Sequence, residues 1–178
     1  VRIARAFTGK SKIAFCGYHG WHDWYLSANL ADGKNLDKQL LSGLSAVGVP
    51  KELQSTAIPF SDGDIETLEV VLAKGDVAAI KMEIMRSEAP SLNYLKDIRS
   101  LADKYKCLLI FDECTSGFRE SFGGLHLNYG VSPDLTILGK TLGNGYAITS
   151  VLGTRPVMSS SQSTFISSTF FTERMGFV

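Results

Sequence analysis

The sequence predicts an α/β protein: a doubly wound, mostly parallel sheet with helices on both faces. Three observations carry that expectation. Short apolar runs rich in Leu, Ile and Val recur along the chain and stop at polar or Gly residues, as buried parallel strands do. Between them lie stretches with apolar residues at intervals of three and four, the spacing of amphipathic helices. Two of the runs end abruptly in chemistry, residues 107–111 in Asp112 and Glu113, and residues 135–138 in Gly139 and Lys140. In open α/β sheets ligands collect at the carboxyl edge of the strands. An acid at one such end and an amine at another make a candidate site.

The elements follow in order. Val1, Ile3, Ala4 and Phe7 stand at helical spacing, and Gly9 and Lys10 form the turn after them. Residues 13–15 predict a short strand that leads into the aromatic stretch CGYHGWHDWYLSAN. Residues 29–54 are polar, glycine-containing and weakly periodic, which reads as an excursion rather than core. Residues 55–60 predict a strand. Ser61 and Asp64 fit a capping box ahead of Ile65, Leu68, Val71 and Leu72, a helix running to Lys74 and stopped by Gly75. Residues 77–82 predict a strand ending at Glu83, and Leu95, Ile98, Leu101, Ala102 and Tyr105 mark a helix. The 107–111 and 135–138 strands come next, and 149–152 is the last strand before Gly153. There is no internal repeat and no low-complexity segment.

Composition excludes several classes. The 178 residues suffice for one domain with a sizeable core, and 44% hydrophobic with 20% charged residues is a soluble, globular balance. Eighteen Lys and Arg offset eighteen Asp and Glu, so no net field draws nucleic acid or an anionic membrane. Cys16, Cys107 and Cys114 form no CxxC pair, and two lie in or beside an apolar run, so buried free thiols of a reducing compartment are expected. No signal peptide opens the chain and no apolar run approaches ~18 residues, so the expected location is cytoplasmic. The chain opens on VRIARAFTG without a cap and stops at RMGFV without a tail, and it reads as a fragment.

Gly139-Lys140-Thr141 invites a phosphate-loop reading, which fails on spacing. The motif G-x-x-x-x-G-K-[ST] needs a glycine where Asp134 stands, and its loop should precede the Asp-Glu strand. The other chemistry that needs one lysine and one buried aspartate is pyridoxal phosphate catalysis. There a lysine amine forms the Schiff base, and a carboxylate against the pyridine nitrogen keeps the ring an electron acceptor. Lys140 lies in a turn with Gly139, Gly143 and Gly145, which lets backbone approach a flat ring closely. His19 and His22 with Asp23 are weak metal candidates, because HxxH lacks a third ligand. Trp21 and Trp24 read as packing, and Arg86 with Glu88 as a solvated ion pair.

Four blocks, GYHGWHDWY, IFDECTSGFR, GVSPDLTILGKTLGNGYAI and ISSTFFTER, together resemble class III aminotransferases. These are fold-type-I pyridoxal phosphate enzymes that include glutamate semialdehyde aminomutase, and the resemblance extends over essentially the whole chain. It implies the large domain of that fold, a ping-pong amino transfer between a small-molecule amino donor and a keto or aldehyde acceptor, and a homodimer with shared active sites. The alternatives are the intramolecular amino shift of the aminomutase and a catalytically silent relative serving as an oligomerisation module. By the resemblance Lys140 is the Schiff-base lysine and Asp112 the partner of the pyridine nitrogen. Tyr18 stacks on the ring, with His19 and Gly20 completing its motif, and Cys114 packs on the opposite ring face. Glu83 matches the glutamate of a Glu-Pro motif near cofactor and substrate, with Ile84 in place of the proline. Thr169, beside Ser168, matches the threonine that reaches the partner subunit's cofactor phosphate. Residues 1–155 would then be part of the cofactor-binding domain and 156–178 the segment leading to that interface contact. The N-terminal segment, the phosphate-binding turn and the C-terminal domain of the family would lie outside the chain.

Overall fold

The computed structural model describes residues 1–85, 88–168 and 171. In chain order its helices and strands are α1 (Arg2–Thr8), β1 (Lys12–Cys16), α2 (Asp23–Leu26), β2 (Ala57–Pro59), α3 (Ile65–Leu72), β3 (Val77–Glu83), α4 (Leu92–Lys104), β4 (Leu108–Glu113), α5 (His126–Tyr129), β5 (Leu135–Leu138), β6 (Ser150–Gly153) and α6 (Arg155–Ser159). The strands form one sheet in the order β2-β1-β3-β4-β5-β6. The first five are parallel, and β6 returns antiparallel to β5 along the edge. From β1 the chain moves outward to β2, then crosses back to β3, so the winding reverses between β1 and β3. Loops leaving such a reversal diverge and open a crevice at the carboxyl edge.

Both faces of the sheet are covered, because the central strands are apolar on both sides. On one face Leu68 and Leu72 of α3 and Leu95, Ile98 and Ala102 of α4 pack on Ile80, Leu109 and Phe111. On the other, Ile3 and Ala4 of α1 and Val157 of α6 pack with Tyr25 and Leu36 on Ile13, Phe15 and Ile110. The doubly wound expectation therefore holds.

Local chemistry sets the helix ends. Asp64 is itself the N-cap of α3 and accepts from the Thr67 N–H at 2.9 Å, so the helix starts one residue beyond it rather than inside a Ser61–Asp64 box. The helix ends at Leu72, two residues short of the expected Lys74. Ser91 caps α4 by accepting from the Tyr94 N–H at 3.1 Å. Asp134, just before β5, accepts from the Leu109 N–H (2.8 Å) and from Arg99 Nη1 (2.9 Å), which ties β4 to α4.

Two expectations need correction. Phe7 is 44% exposed, so only Ile3 and Ala4 of the opening helix enter the core. The 29–54 excursion is also anchored: Leu36 is fully buried and Val49 nearly so. Asn29 holds the segment by donating to the Leu44 carbonyl (2.7 Å) and accepting from the Leu36 N–H (2.9 Å). Side-chain amides bonded to backbone replace the missing helical periodicity there. Among the described residues no helix is long and apolar enough to cross a membrane.

Candidate active site

The carboxyl ends of β1, β3, β4 and β5 open on a cavity of about 460 Å³, within the usual range for small-molecule sites. Tyr18, His19, Lys81, Glu83, Asp112, Cys114 and Lys140 all line it. Strand register explains the convergence. Glu83 pairs with Asp112 at the last rung of β3 and β4, and Asp112 sits opposite Ile137 on β5, two residues before the chain turns at Gly139 into Lys140.

Asp112 forms the floor. Its side chain is 13% exposed, and its Oδ2 contacts Lys81 Nζ and lies 3.0 Å from His19 Nδ1. Oδ1 accepts from the Cys114 N–H at 3.3 Å. Burial alone would raise this carboxyl; the Lys81 charge in direct contact with Oδ2 outweighs it and holds Asp112 well below the usual carboxylate range. The floor therefore carries a fixed anion.

Lys140 stands on the wall. It opens a single 3-10 turn, Lys140–Leu142, after β5, and its backbone φ of 47° is left-handed. For a residue with a Cβ that conformation costs roughly 1–2 kcal/mol. Its side chain is exposed, and Nζ donates to Thr115 Oγ1 at 2.8 Å. The glycine turn serves the chain itself, since a Cβ on Gly143 would lie 2.1 Å from the Tyr146 carbonyl oxygen.

A polar and aromatic wall lines the same cavity. Glu83 Oε2 accepts from the Tyr18 N–H at 3.0 Å, and the turn before it requires glycine. Gly17 has φ 100°, and a Cβ there would meet Glu83 Oε2 at 2.7 Å. Tyr18 stands edge-on to buried Tyr25 at 5.9 Å. His19 is buried, with Nε2 3.0 Å from the Cys16 carbonyl. Burial, then the neighbouring Asp112 charge, pushes the Cys114 thiol up to about 11, so it is neutral at physiological pH.

This arrangement, an ionised carboxylate and a primary amine facing one cavity, is the donor set that pyridoxal phosphate requires. The family model of class III aminotransferases matches residues 1–175. The chain belongs to the class III aminotransferase family. Members of this family depend on pyridoxal phosphate. Among curated relatives, a 3-aminobutyryl-CoA aminotransferase of Cloacimonas acidaminovorans is 38% identical over 100% of this chain and 41% of its own length. A glutamate-1-semialdehyde 2,1-aminomutase of Ignicoccus hospitalis is 38% identical over 89% of this chain and 38% of its own. The chain thus spans about two-fifths of the class III relatives it matches. Among solved structures, an omega-transaminase of Sphaerobacter thermophilus superposes with a TM-score of 0.74 at 28% identity, over 89% of this chain and 38% of its own. The FumI protein of Sphingopyxis sp. MTA144, solved in its PLP internal aldimine form, superposes with a TM-score of 0.81 over 98% of this chain and 40% of its own. At 23% identity that likeness shows the fold alone.

From the sequence, Ser168 and Thr169 are expected at the partner subunit's cofactor phosphate rather than in this cavity. Ser168 is exposed and is not among the lining residues, while Thr169 and Arg86 lie outside the described residues. Trp24 lines the wall and packs edge-on against Phe15 at 5.9 Å, as a packing residue should. Trp21 does not: it is 80% exposed, stacks flat on His22 at 6.0 Å and borders the cavity. It follows a tight turn at Gly20 (φ 89°) that points it outward. Among the described residues no three His, Cys, Asp or Glu side chains group to hold a metal ion.

Two residues escaped the sequence reading. Glu113 is fully buried, and it accepts from the Leu125 N–H, from Ser116 Oγ (3.1 Å) and from His126, pinning the loop that follows the floor. Its place directly after Asp112 was the available signal. Lys81 is 4% exposed in the middle of β3. A lone lysine inside an apolar strand was its signal.

Proposed function

We propose that the complete protein is a pyridoxal-phosphate-dependent aminotransferase that moves an amino group between an amino donor and a keto or aldehyde acceptor in two half-reactions. The observation that carries this reading is the meeting of the Lys140 amine and the Asp112 carboxylate in one cavity, from the ends of neighbouring strands. When bound, pyridoxal phosphate supplies an aldehyde carbon for amine exchange and a ring that accepts electrons from the substrate carbon.

The chain's own residues do the rest. Lys140 Nζ would be the covalent anchor and the general base and acid at the substrate α-carbon. Its exposure and, among the described residues, its one neutral partner at Thr115 leave it able to swing between these tasks. Asp112, ionised by its surroundings, holds the proton on the ring nitrogen. Tyr18 would offer a π face to the ring, and Cys114, neutral and small, would pack against it. Glu83 fixes the Tyr18 backbone and so the height of that aromatic wall.

The complete protein acts as a homodimer in which residues 156–178, with Ser168 and Thr169, lead to the partner's cofactor phosphate, and it resides in the cytoplasm. Residues 1–155 supply part of the cofactor-binding domain. The aminomutase relatives favour a second reading, an intramolecular amino shift on a single substrate. A donor and acceptor screen of the complete protein tests both: release of a keto product dependent on a separate acceptor supports amino transfer, and isomerisation without one supports the shift. Lys140→Ala should lose the visible absorbance of the loaded protein together with turnover, and retention of both would refute Lys140 as the anchor.

A further inference from the structure

The cavity floor holds a second amine. Lys81 lies between Ile80 and Met82 in the central strand, and its side chain is 5% exposed. Placing an ammonium that deep costs several kcal/mol unless it is paired. Among the described residues three groups surround Nζ: the Asp112 carboxylate in direct contact, His19 Nδ1 at 2.6 Å, and the Trp24 ring with its centroid at 5.5 Å.

Proton counting assigns their roles. The Cys16 carbonyl can only accept, so His19 Nε2, 3.0 Å away, carries hydrogen. Burial, and then the Lys81 charge, pulls His19 down from its ordinary value, so the ring is neutral and Nδ1 is a bare lone pair. A lone pair cannot donate to Asp112, although Nδ1 lies 3.0 Å from Oδ2. Nδ1 instead accepts from Lys81, and Lys81 is the donor to Oδ2. The chain of support runs from the Cys16 carbonyl through His19 and Lys81 to Asp112.

We propose that Lys81 is a positioning residue for the carboxylate that faces the cofactor: it takes Oδ2 of Asp112 as its ion-pair partner, so the ring nitrogen meets half of a salt bridge rather than a lone anion. This rests on the reading of the cavity as a pyridoxal phosphate site. A shared carboxylate attracts the ring proton less, and a fixed cation beside the ring disfavours positive charge on the bound cofactor. Among the described side chains, the other titratable groups lining the cavity with this pair are Tyr18, His19 and His22 after β1, Glu83 at the end of β3, Cys114 after β4 and Lys140 after β5. His19 and Cys114 are neutral at physiological pH, Glu83 is bonded to the Tyr18 N–H, and the Lys140 amine is consumed by the cofactor linkage. Burial lowers Lys81 and its contact with the Asp112 carboxylate opposes that, so among the described residues Lys81 is the buried cation paired with the floor.

The test is the absorption spectrum of the complete protein, loaded with pyridoxal phosphate and titrated with acid and base. Lys81→Met should move the midpoint between the acidic and basic spectra of the bound cofactor upward by about one pH unit or more. Lys81→Arg, which keeps the charge, should keep the parent midpoint. Coincident midpoints for parent and Lys81→Met overturn the proposal, as does a Lys81→Arg midpoint displaced as far as that of Lys81→Met. Should Lys81→Met not fold, Lys81→Arg decides alone, a retained midpoint supporting the proposal and a displaced one overturning it. A parent protein that takes up no pyridoxal phosphate, or whose spectrum survives Lys140→Ala, refutes the cofactor reading and the proposal together. A normally loaded parent with no response at Lys81 refutes the role of Lys81 alone.

Discussion

Lys81 and Lys140 line the same cavity in opposite circumstances. Lys81 hangs from the middle of a buried strand, pinned by a carboxylate, an imidazole and an indole. Lys140 follows the end of an outer parallel strand, exposed, bonded to the Thr115 hydroxyl and with a left-handed backbone. The first environment holds a charge in place; the second leaves an amine exposed, as the proposed covalent anchor requires. Position in the sheet makes the difference, because a side chain within β3 is surrounded by neighbouring strands while one in the loop after β5 is not. A site that must fix one group and move another places the first on a strand and the second just past one.

That contrast can be broken from either side. The largest effect belongs to the exposed amine: Lys140→Ala should lower turnover of the complete protein by about 10⁴-fold. Its unfolding free energy should stay within about 0.5 kcal/mol of the parent, because an exposed side chain is lost. A large loss of stability would show that Lys140 is a structural residue. The fixed pair should behave the other way. Asp112→Asn leaves Lys81 buried without its counter-ion and should cost about 3 kcal/mol in denaturant unfolding. The double variant Lys81→Met with Asp112→Leu should recover most of that loss, and strict additivity would deny the coupling.

Acid sharpens the comparison. The folded value of Asp112 lies below its unfolded value, so its contribution to stability is fully present above the ordinary carboxylate range and is lost as pH falls beneath it. The unfolding free energy of the parent should decline on acidification below about pH 4, and Lys81→Met should flatten that decline. The loop around Lys140 has its own constraint. Gly143→Ala places a methyl against the Tyr146 carbonyl and should cost about 1–3 kcal/mol, with weaker cofactor retention measured by dialysis. The smallest effect concerns the thiols. Burial pushes Cys16 up to about 12 and Cys107 and Cys114 up to about 11, so all three should react slowly with an aromatic disulfide at neutral pH. Half-buried Cys114 should react first, and bound cofactor should slow it.

Much of the site was visible in the residues because strand ends are visible. Asp112, Lys140 and Glu83 each terminate or follow an apolar run, and a parallel sheet gathers such ends on one edge. What stayed hidden were side chains whose meaning lies in their neighbours. Lys81 reads as an interruption of a strand until β4 sets Asp112 beside it. Glu113 reads as the second half of an acidic pair until the 116–126 loop folds back over it. Trp21 and Trp24 are three residues apart in one aromatic stretch, and only the turn at Gly20 separates an exposed ring from a packed one.

By itself the sequence determined the alternation of strands and helices, the two-sided sheet and the residues with reactive side chains, because hydrophobic spacing and abrupt polar stops are local properties of a chain. The tertiary structure alone decided strand order, the antiparallel return of β6 and the roles of His19 and Lys81. Those depend on which strands become neighbours, and a histidine tautomer or a buried lysine's charge is settled by partners tens of residues away in sequence.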